Sequence, residues 1–353
     1  MKPDRLSFID WTRGLGALIM LQGHAFHSFT YPSLRESPAF IYSQFVGGMP
    51  PAIFLFLTGV TLAFLMDSLE RKGLSNGQRI LGALKRSRYL FLLAFGFRIQ
   101  MFLFGWPRPW EDIFKVDVLN CMGFSVAVFS LMAVFPTAER ARLAAALGAA
   151  IAVASPLIAQ LDWSGVHPLV RQYFVPDGVL FGFFPWASLL AFGLAVGCAI
   201  RLTAVENLNR LLQWIAVGGL LAIYISQYLS NLPFSLYAKS EFWIDSPWLI
   251  LIKTGICMLL LATGYVWTQY IAKPGWSWIR QLGMTSLLVY WVHVELVYGR
   301  WFWYWKENLT IGQSSLMALL VIVMMVGLSY TRTNWERLKP GWVPALATFR
   351  GRV

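Results

Sequence analysis

DWTRGLGALIMLQGHAFHSF, residues 10–29, has the apolar centre of a membrane-spanning helix, yet it carries four ionisable groups: Asp10, Arg13, His24 and His27. Such groups are costly in hydrocarbon, so those that persist in spans mostly face a bundle interior or mark a site. The rest of the chain supports a membrane reading. Of its 353 residues, 57% are hydrophobic and 13% charged, about half the charged share of a soluble globular chain. The mean hydropathy is +0.57. Seventeen Trp and 26 Phe supply the aromatic load expected at two water–lipid interfaces. The fold class that follows is an all-α integral membrane protein.

The net charge of +12 does not point to nucleic acid. Lys and Arg collect in short connections between apolar runs rather than on the face of a soluble domain. Cys121, Cys198 and Cys257 each lie inside an apolar run, as buried thiols do, and no disulfide framework or metal site is expected from them. No small-residue cleavage site follows the first apolar run, so it is expected to be a retained helix.

A bilayer core about 30 Å thick needs about 20 apolar residues per helix. Runs of that length predict ten spans, near 11–31, 45–66, 86–105, 117–136, 143–161, 177–200, 211–230, 247–269, 283–303 and 313–331. No internal repeat, low-complexity tract or second domain stands out, so residues 1–353 read as one polytopic domain. Ten spans put both termini on one side. That side holds twenty of the 29 basic residues, against seven in the opposite loops, with Arg98 and Lys253 inside spans. The positive-inside rule then places both termini in the cytoplasm. The loop from Asp67 to Leu84, with the start of the third helix, is the most basic internal segment. Its Arg79, Lys85, Arg86 and Arg88 read either as topology determinants touching lipid phosphates or as a cytosolic site for a phosphorylated ligand.

Helical geometry gives the first span a more specific meaning. Eleven residues separate Arg13 from His24, and eleven steps of 100° return to within about 20° of the same face while rising about 16 Å. A cation therefore sits at the cytosolic edge with an imidazole above it, past mid-membrane. His27 lies one turn further out, about 40° to the other side of that line. Asp10, three residues before Arg13, can pair with the guanidinium. A cation and a base so spaced suit a ligand with a charged head and a long thin arm, such as coenzyme A. In that reading the imidazole is a general base at neutral pH. The plainer reading is that Arg13 snorkels to the interface and His24 is a hydrogen-bonded packing residue.

DRLSFIDWTRGLGALIMLQGH (4–24) resembles the opening of the transmembrane acyltransferases, whose first helix runs Arg-x-x-x-(hydrophobic)-Asp-x-x-Arg-Gly and ends in a His eleven residues after the second Arg. PPAIFLFLTGVTLAF (50–64), LKRSRYLFLLAFGF (84–97), KVDVLNCMG (115–123) and LGMTSLLVYWVH (282–293) also fit, in order. The likeness is greatest to bacterial relatives of heparan-α-glucosaminide N-acetyltransferase, with acyltransferase family 3 and the glucan succinyltransferases more distant. The resemblance implies transfer of an acyl group, above all acetyl, from cytosolic acetyl-CoA or another acyl-CoA to an amine or hydroxyl of a sugar beyond the membrane. It implies a bacterial cytoplasmic membrane as the location and no metal as cofactor. Carried over by position, His24 is the catalytic His and Arg13 its motif partner. Lys85 and Arg88 fill a basic-x-x-basic motif where the cousins place Arg-x-x-Arg. Lys at the first of these positions is a departure, since it offers a point charge and not a planar fork. His27 is a second departure, and either imidazole could be the base.

The other intramembrane polar groups are candidates for the acceptor. Asp117 and Asn120 lie three apart on one face of the fourth span and could orient acceptor hydroxyls or an amine, although Asp117 at a helix start also reads as a cap. His293 and Glu295, two apart, point to different faces and are not a pair, but either could line a cavity. Arg98 could balance Asp10 or Asp117. Gly193 and Gly197 form a small-xxx-small pair suited to helix packing. Expected partners are membrane lipids, an acyl-CoA donor and a glycan acceptor, with no nucleic acid; an oligomer is compatible with all of this. A proton-coupled secondary transporter of a glycan or lipid-linked precursor is the competing class. It would use the same His, Asp and Arg as a relay, with Pro50, Pro51 and Pro185 interrupting two helices.

Overall fold

The computed structural model describes residues 6–104, 109–176, 180–272 and 275–338. Arg5, the first residue of the helix-one motif, and the expected span ends at 105 and 177 lie outside them. The described chain is helical. α1 spans Ser7–Phe29, α2 Pro38–Gly47, α3 Pro50–Arg71, α4 Asn76–Phe104, α5 Val118–Ser130, α6 Thr137–Gln160 and α7 Pro168–Phe174. α8 spans Phe183–Leu202, α9 Leu208–Ser230, α10 Pro247–Val266, α11 Trp278–Met284, α12 Ser286–Tyr298, α13 Ile311–Thr333 and α14 Trp335–Leu338. Among the described residues no β-strand forms.

Among the described residues, eight of the ten expected spans contain helices long and apolar enough to cross a membrane, and the chain is an integral membrane protein. The other two differ for identifiable reasons. α1 has 23 residues, but Arg13, Gln22, His24 and His27 make it too polar to count among them. The expected span 283–303 is broken at Thr285 (φ −123°, ψ 27°) into α11 and a 13-residue α12. α4 starts at Asn76, well before the expected 86, so Arg79 lies on helix and not in a loop, and Lys85, Arg86 and Arg88 lie within the helix rather than at its start. Arg and Lys are good helix formers, whereas a hydropathy scan registers only the apolar part of a helix. Pro50 and Pro51 start α3 rather than interrupt a span, where the missing N–H of proline costs nothing.

The chain divides into two compact units, residues 1–12 with 48–273, and 13–47 with 274–353. In the first, α3 packs on α8 through small residues. A Cβ on Gly193 would collide with the Phe56 carbonyl, and one on Gly59 with the Leu190 carbonyl. At Gly197 it would stand 2.7 Å from the Ala63 Cβ, so the glycine pair does let two backbones meet. Asp67 and Glu70 near the end of α3 tie α4, α6 and α8 together. Asp67 takes Arg71 (2.9 Å) and Arg201 (2.7 Å), and Glu70 takes Arg79 (3.3 Å) and Arg140 (2.8 Å). Lys253 on α10 lays its ammonium 4.6 Å from the Trp186 ring centroid, a cation–π contact that lets a cation persist within a span.

In the second unit, α1 from Arg13 onward runs alongside α11 and α12 in the same direction, and α13 returns antiparallel. Gly14 lies against the Ile279 carbonyl at one end, and Ser28 donates to the Val297 carbonyl (2.7 Å) at the other. The loop before α13 closes the C-terminus of α1. Glu307 N–H donates to Ser28 O (3.0 Å), Leu309 N–H to Phe29 O (2.9 Å), and Tyr31 N–H to Leu309 O (2.9 Å). Carbonyls that a helix end leaves without partners are thus filled by chain and not by water.

Candidate active site

Five of the expected residues lie in the second unit on α1 and α12: Arg13, His24, His27, His293 and Glu295. The parallel run of these helices brings His24 Nδ1 to 2.9 Å from His293 Nε2, with the rings offset-stacked at 5.2 Å and 20°. His293 is 0% exposed, and its Nδ1 lies 2.7 Å from the Val289 carbonyl one turn back on α12. A carbonyl can only accept, so His293 Nδ1 carries a proton and, in the neutral ring, Nε2 is the acceptor. His24 Nδ1 must then be the donor. In neutral His24 that leaves the lone pair on Nε2. One backbone carbonyl thereby sets the tautomers of two imidazoles and makes His24 Nε2 the basic atom.

Tyr298 completes the cluster. Its ring stands edge-on to His24 (5.3 Å, 67°) and tilted over His27 (5.8 Å, 58°), and its hydroxyl is 3.3 Å from His27 Nδ1. His27 is exposed and has no such backbone-fixed partner. α2 buttresses the same turn of α1: Gln22 donates to Ser43 Oγ (2.5 Å) and Gln44 to the Gly23 carbonyl (3.0 Å). Glu295 is 8% exposed, and neither carboxyl oxygen has a hydrogen-bond partner. Arg13 belongs to this unit and Asp10 to the other; Asp10 is buried, and both are engaged.

The remaining candidates lie in the first unit. Asp117 caps α5, accepting from Leu119 N–H (2.9 Å) and Asn120 N–H (3.1 Å). Its second oxygen lies 3.2 Å from Arg98 Nε without the alignment of a hydrogen bond. Asn120 donates to the Tyr173 hydroxyl (3.2 Å), and its carbonyl oxygen is buried without a partner. The four basic residues of α4 separate by face. Arg79 and Arg86, seven apart, fall within about 20° of one another, while Arg88 lies on the opposite side and Lys85 about 100–120° round the helix. Lys85 and Arg88 are exposed. Arg86 is half-buried over Tyr89, 5.7 Å from its ring centroid. Arg79 is buried against Glu70 and donates to the Phe135 carbonyl (3.2 Å).

Residues 5–233 of the chain match the family model described as heparan-alpha-glucosaminide N-acetyltransferase, catalytic. The match covers well over half of the 353 residues. The chain belongs to this family. No curated protein matches it. Membership in the heparan-α-glucosaminide N-acetyltransferase family makes it a membrane acyltransferase by lineage. The matched part contains Asp10, Arg13, His24, His27 and the α4 and α5 candidates, but it stops before α12. His293 and Tyr298, which hold His24, therefore lie outside it. Sequence reasoning set His293 among acceptor contacts and passed over Tyr298. The two histidines are 269 residues apart, and no spacing within one helix marks their pairing.

Proposed function

We propose that the protein transfers an acyl group, acetyl above all, from a cytosolic acyl-CoA to an amine or hydroxyl of a sugar on the far side of a bacterial cytoplasmic membrane. In this reading both termini are cytoplasmic and His24 is the general base. The observation that carries the assignment is the His24–His293–Val289 chain of hydrogen bonds, because it presents one basic nitrogen in a fixed orientation. Base, orienting group and fixed tautomer form the arrangement from which acyl transfer by general base catalysis is recognised.

The step balances without further reactants. The acceptor nitrogen or oxygen attacks the thioester carbonyl, and His24 Nε2 takes its proton. The new acyl bond forms as the carbon–sulfur bond breaks, and the proton passes to the departing CoA sulfur. While His24 is cationic, its Nδ1–H continues to donate to His293 Nε2, a charge-assisted bond stronger than the neutral one. His293 acts as a positioning residue, through His24.

For the donor, the proposal places the CoA phosphates on Lys85 and Arg88, the exposed pair of α4, with Arg86 beside them; Arg79 is committed to Glu70. For the acceptor, the second unit offers Glu295, whose buried carboxyl oxygens lack a hydrogen-bond partner and would accept from a sugar hydroxyl or ammonium; in the first unit the candidates are the Asn120 carbonyl oxygen, also without a partner, and Asp117, which is ion-paired with Arg98. The deciding experiment follows free thiol in purified protein supplied with acetyl-, propionyl- or succinyl-CoA and glucosamine. Thiol release matched by acylated sugar is expected with acetyl-CoA. Absence of release with every donor and of stabilisation by any of them would overturn the proposal, and labelled glycan counterflow without thioester consumption would put a transporter in its place.

A further inference from the structure

Away from His24, the second unit carries a cleft of about 960 Å³ between α11 and the later part of α13. Arg280 and Arg337 stand in its wall, and among the described residues no Asp or Glu does. Trp276 and Tyr330 meet edge to face across part of it, with centroids 6.1 Å apart at 88°. Val323 and Gly327 are among its apolar side.

We infer that this cleft holds one anionic glycerophospholipid, its phosphate at the Arg280 and Arg337 end and an acyl chain along Val323 and Gly327. Three features favour it. The first is charge, since two guanidiniums in one wall suit a phosphate, and basic pockets between membrane helices bind anionic headgroups. The second is continuity with the bilayer. Leu316, Leu320, Val323, Gly327 and Tyr330 follow one another at steps of four and three, which is a single helix face. The face is open: Val323 is 60% exposed, and Leu316, Leu320 and Tyr330 are exposed as well. It runs for about 21 Å, more than the roughly 15 Å depth of one hydrocarbon leaflet. A water-soluble phosphate compound would have no use for such a floor.

The third feature is Gly327. A Cβ built there meets no atom within 4 Å, so this glycine, which weakens its helix, makes room for nothing among the described residues. It leaves a notch in the stripe of a width that an alkyl chain can fill. The wall is preformed. The Gln281 amide donates to Ser329 O (3.0 Å), Ser329 Oγ (2.9 Å) and Thr333 Oγ1 (3.0 Å), and Thr285 and Ser329 hydroxyls lie 2.6 Å apart. Trp276 and Tyr330 at its edge are residue types that anchor at headgroup level.

The test is native mass spectrometry of the full-length protein in detergent, titrated with phosphatidylglycerol or with phosphatidylcholine of the same chains. One phosphatidylglycerol is expected to stay bound where phosphatidylcholine does not. Arg280→Gln with Arg337→Gln should weaken it about 30-fold. Gly327→Leu should block it without lowering the melting temperature in lipid-free detergent, because the new side chain enters open space and favours helix. Equal retention of the two lipids, or unchanged binding in both variants, would overturn the inference. So would displacement of phosphatidylglycerol by inorganic phosphate or CoA, which would make the cleft a site for a soluble phosphate. Acyl transfer plays no part in any of these readings.

Discussion

Asp67 and Glu70 in the first unit gather Arg71, Arg79, Arg140, Arg201 and the Thr137 hydroxyl. In the second unit His24, His293, Tyr298 and His27 share a looser set of contacts with no ion pair among them. Both clusters place polar groups in helices of a membrane protein, and they are built on opposite terms. Glu70 accepts from Arg140 at 2.8 Å and Thr137 at 3.0 Å, and Asp67 accepts from Arg201 and Thr137 as well. Arg140, 0% exposed, also donates to the Met132 and Phe135 carbonyls. Such a cluster directs its charges at one another, although Arg79 Nε and Arg140 Nη1 make no hydrogen bond, and serves to fix four helices. The histidine cluster is aligned by a single carbonyl and leaves His24 Nε2 able to take a proton. A network closed by mutual ion pairs reads as scaffold, and an oriented, uncharged one with a basic nitrogen to spare reads as chemistry.

The comparison can be broken by exchanging the two kinds of loss. His24→Ala is expected to lower turnover by about 10²–10⁴-fold, the usual contribution of a general base, with a stability loss of only about 1–3 kcal/mol from the hydrogen bond that His293 loses. Release of CoA at the wild-type rate by His24→Ala would move the base to another residue, and the parallel variant His27→Ala decides whether that residue is His27. Glu70→Gln should do the reverse. It leaves Arg140 buried without its counter-charge, which costs about 3–5 kcal/mol for such pairs, so unfolding in detergent should move to markedly lower temperature. Activity per folded molecule should hardly change. An equal loss of stability in both variants would erase the distinction.

A narrower test concerns what His293 does for its neighbour. His293→Leu removes the acceptor for the His24 Nδ1 proton, whereas His293→Gln retains an oxygen able to accept it. A hydrogen bond to a charged group contributes about 1.5–3 kcal/mol, so the leucine variant should lose about ten- to a hundredfold in turnover. The glutamine variant should recover a large part of that loss. If both fall equally, His293 is a packing residue and the tautomer argument fails.

How much of this was legible in the sequence depends on the range of each interaction. The membrane helices were, because twenty apolar residues in a row leave few alternatives, and the positions of α3, α6, α9, α10 and α13 follow. The early start of α4 was not, since helix continues through charged residues that hydropathy discards. Nor was the break at Thr285, a small residue inside an apolar run. The division of Arg79 and Arg86 from Lys85 and Arg88 was open to angle counting along one helix. Asp117 as a cap with Arg98 beside it was among the stated alternatives. Arg140 and Arg201 were counted only as topology charges, because their carboxylates lie 70 and 134 residues away. The same limit hid the pairing of His24 with His293.

The smallest effect is expected at Tyr298, and it refines the choice between the two α1 histidines. Tyr298→Phe keeps the ring against His24 and removes only the hydroxyl that lies 3.3 Å from His27 Nδ1. A neutral hydrogen bond is worth about 0.5–1.5 kcal/mol, and this one is long and partly open to solvent. If His24 is the base, turnover should fall by less than about threefold, because nothing in its bond to His293 changes. If His27 were the base, the hydroxyl would be its orienting partner in the role His293 plays for His24. The loss should then approach that of His293→Leu. Measuring Tyr298→Phe beside His293→Leu in one thiol-release assay therefore ranks the two imidazoles without removing either.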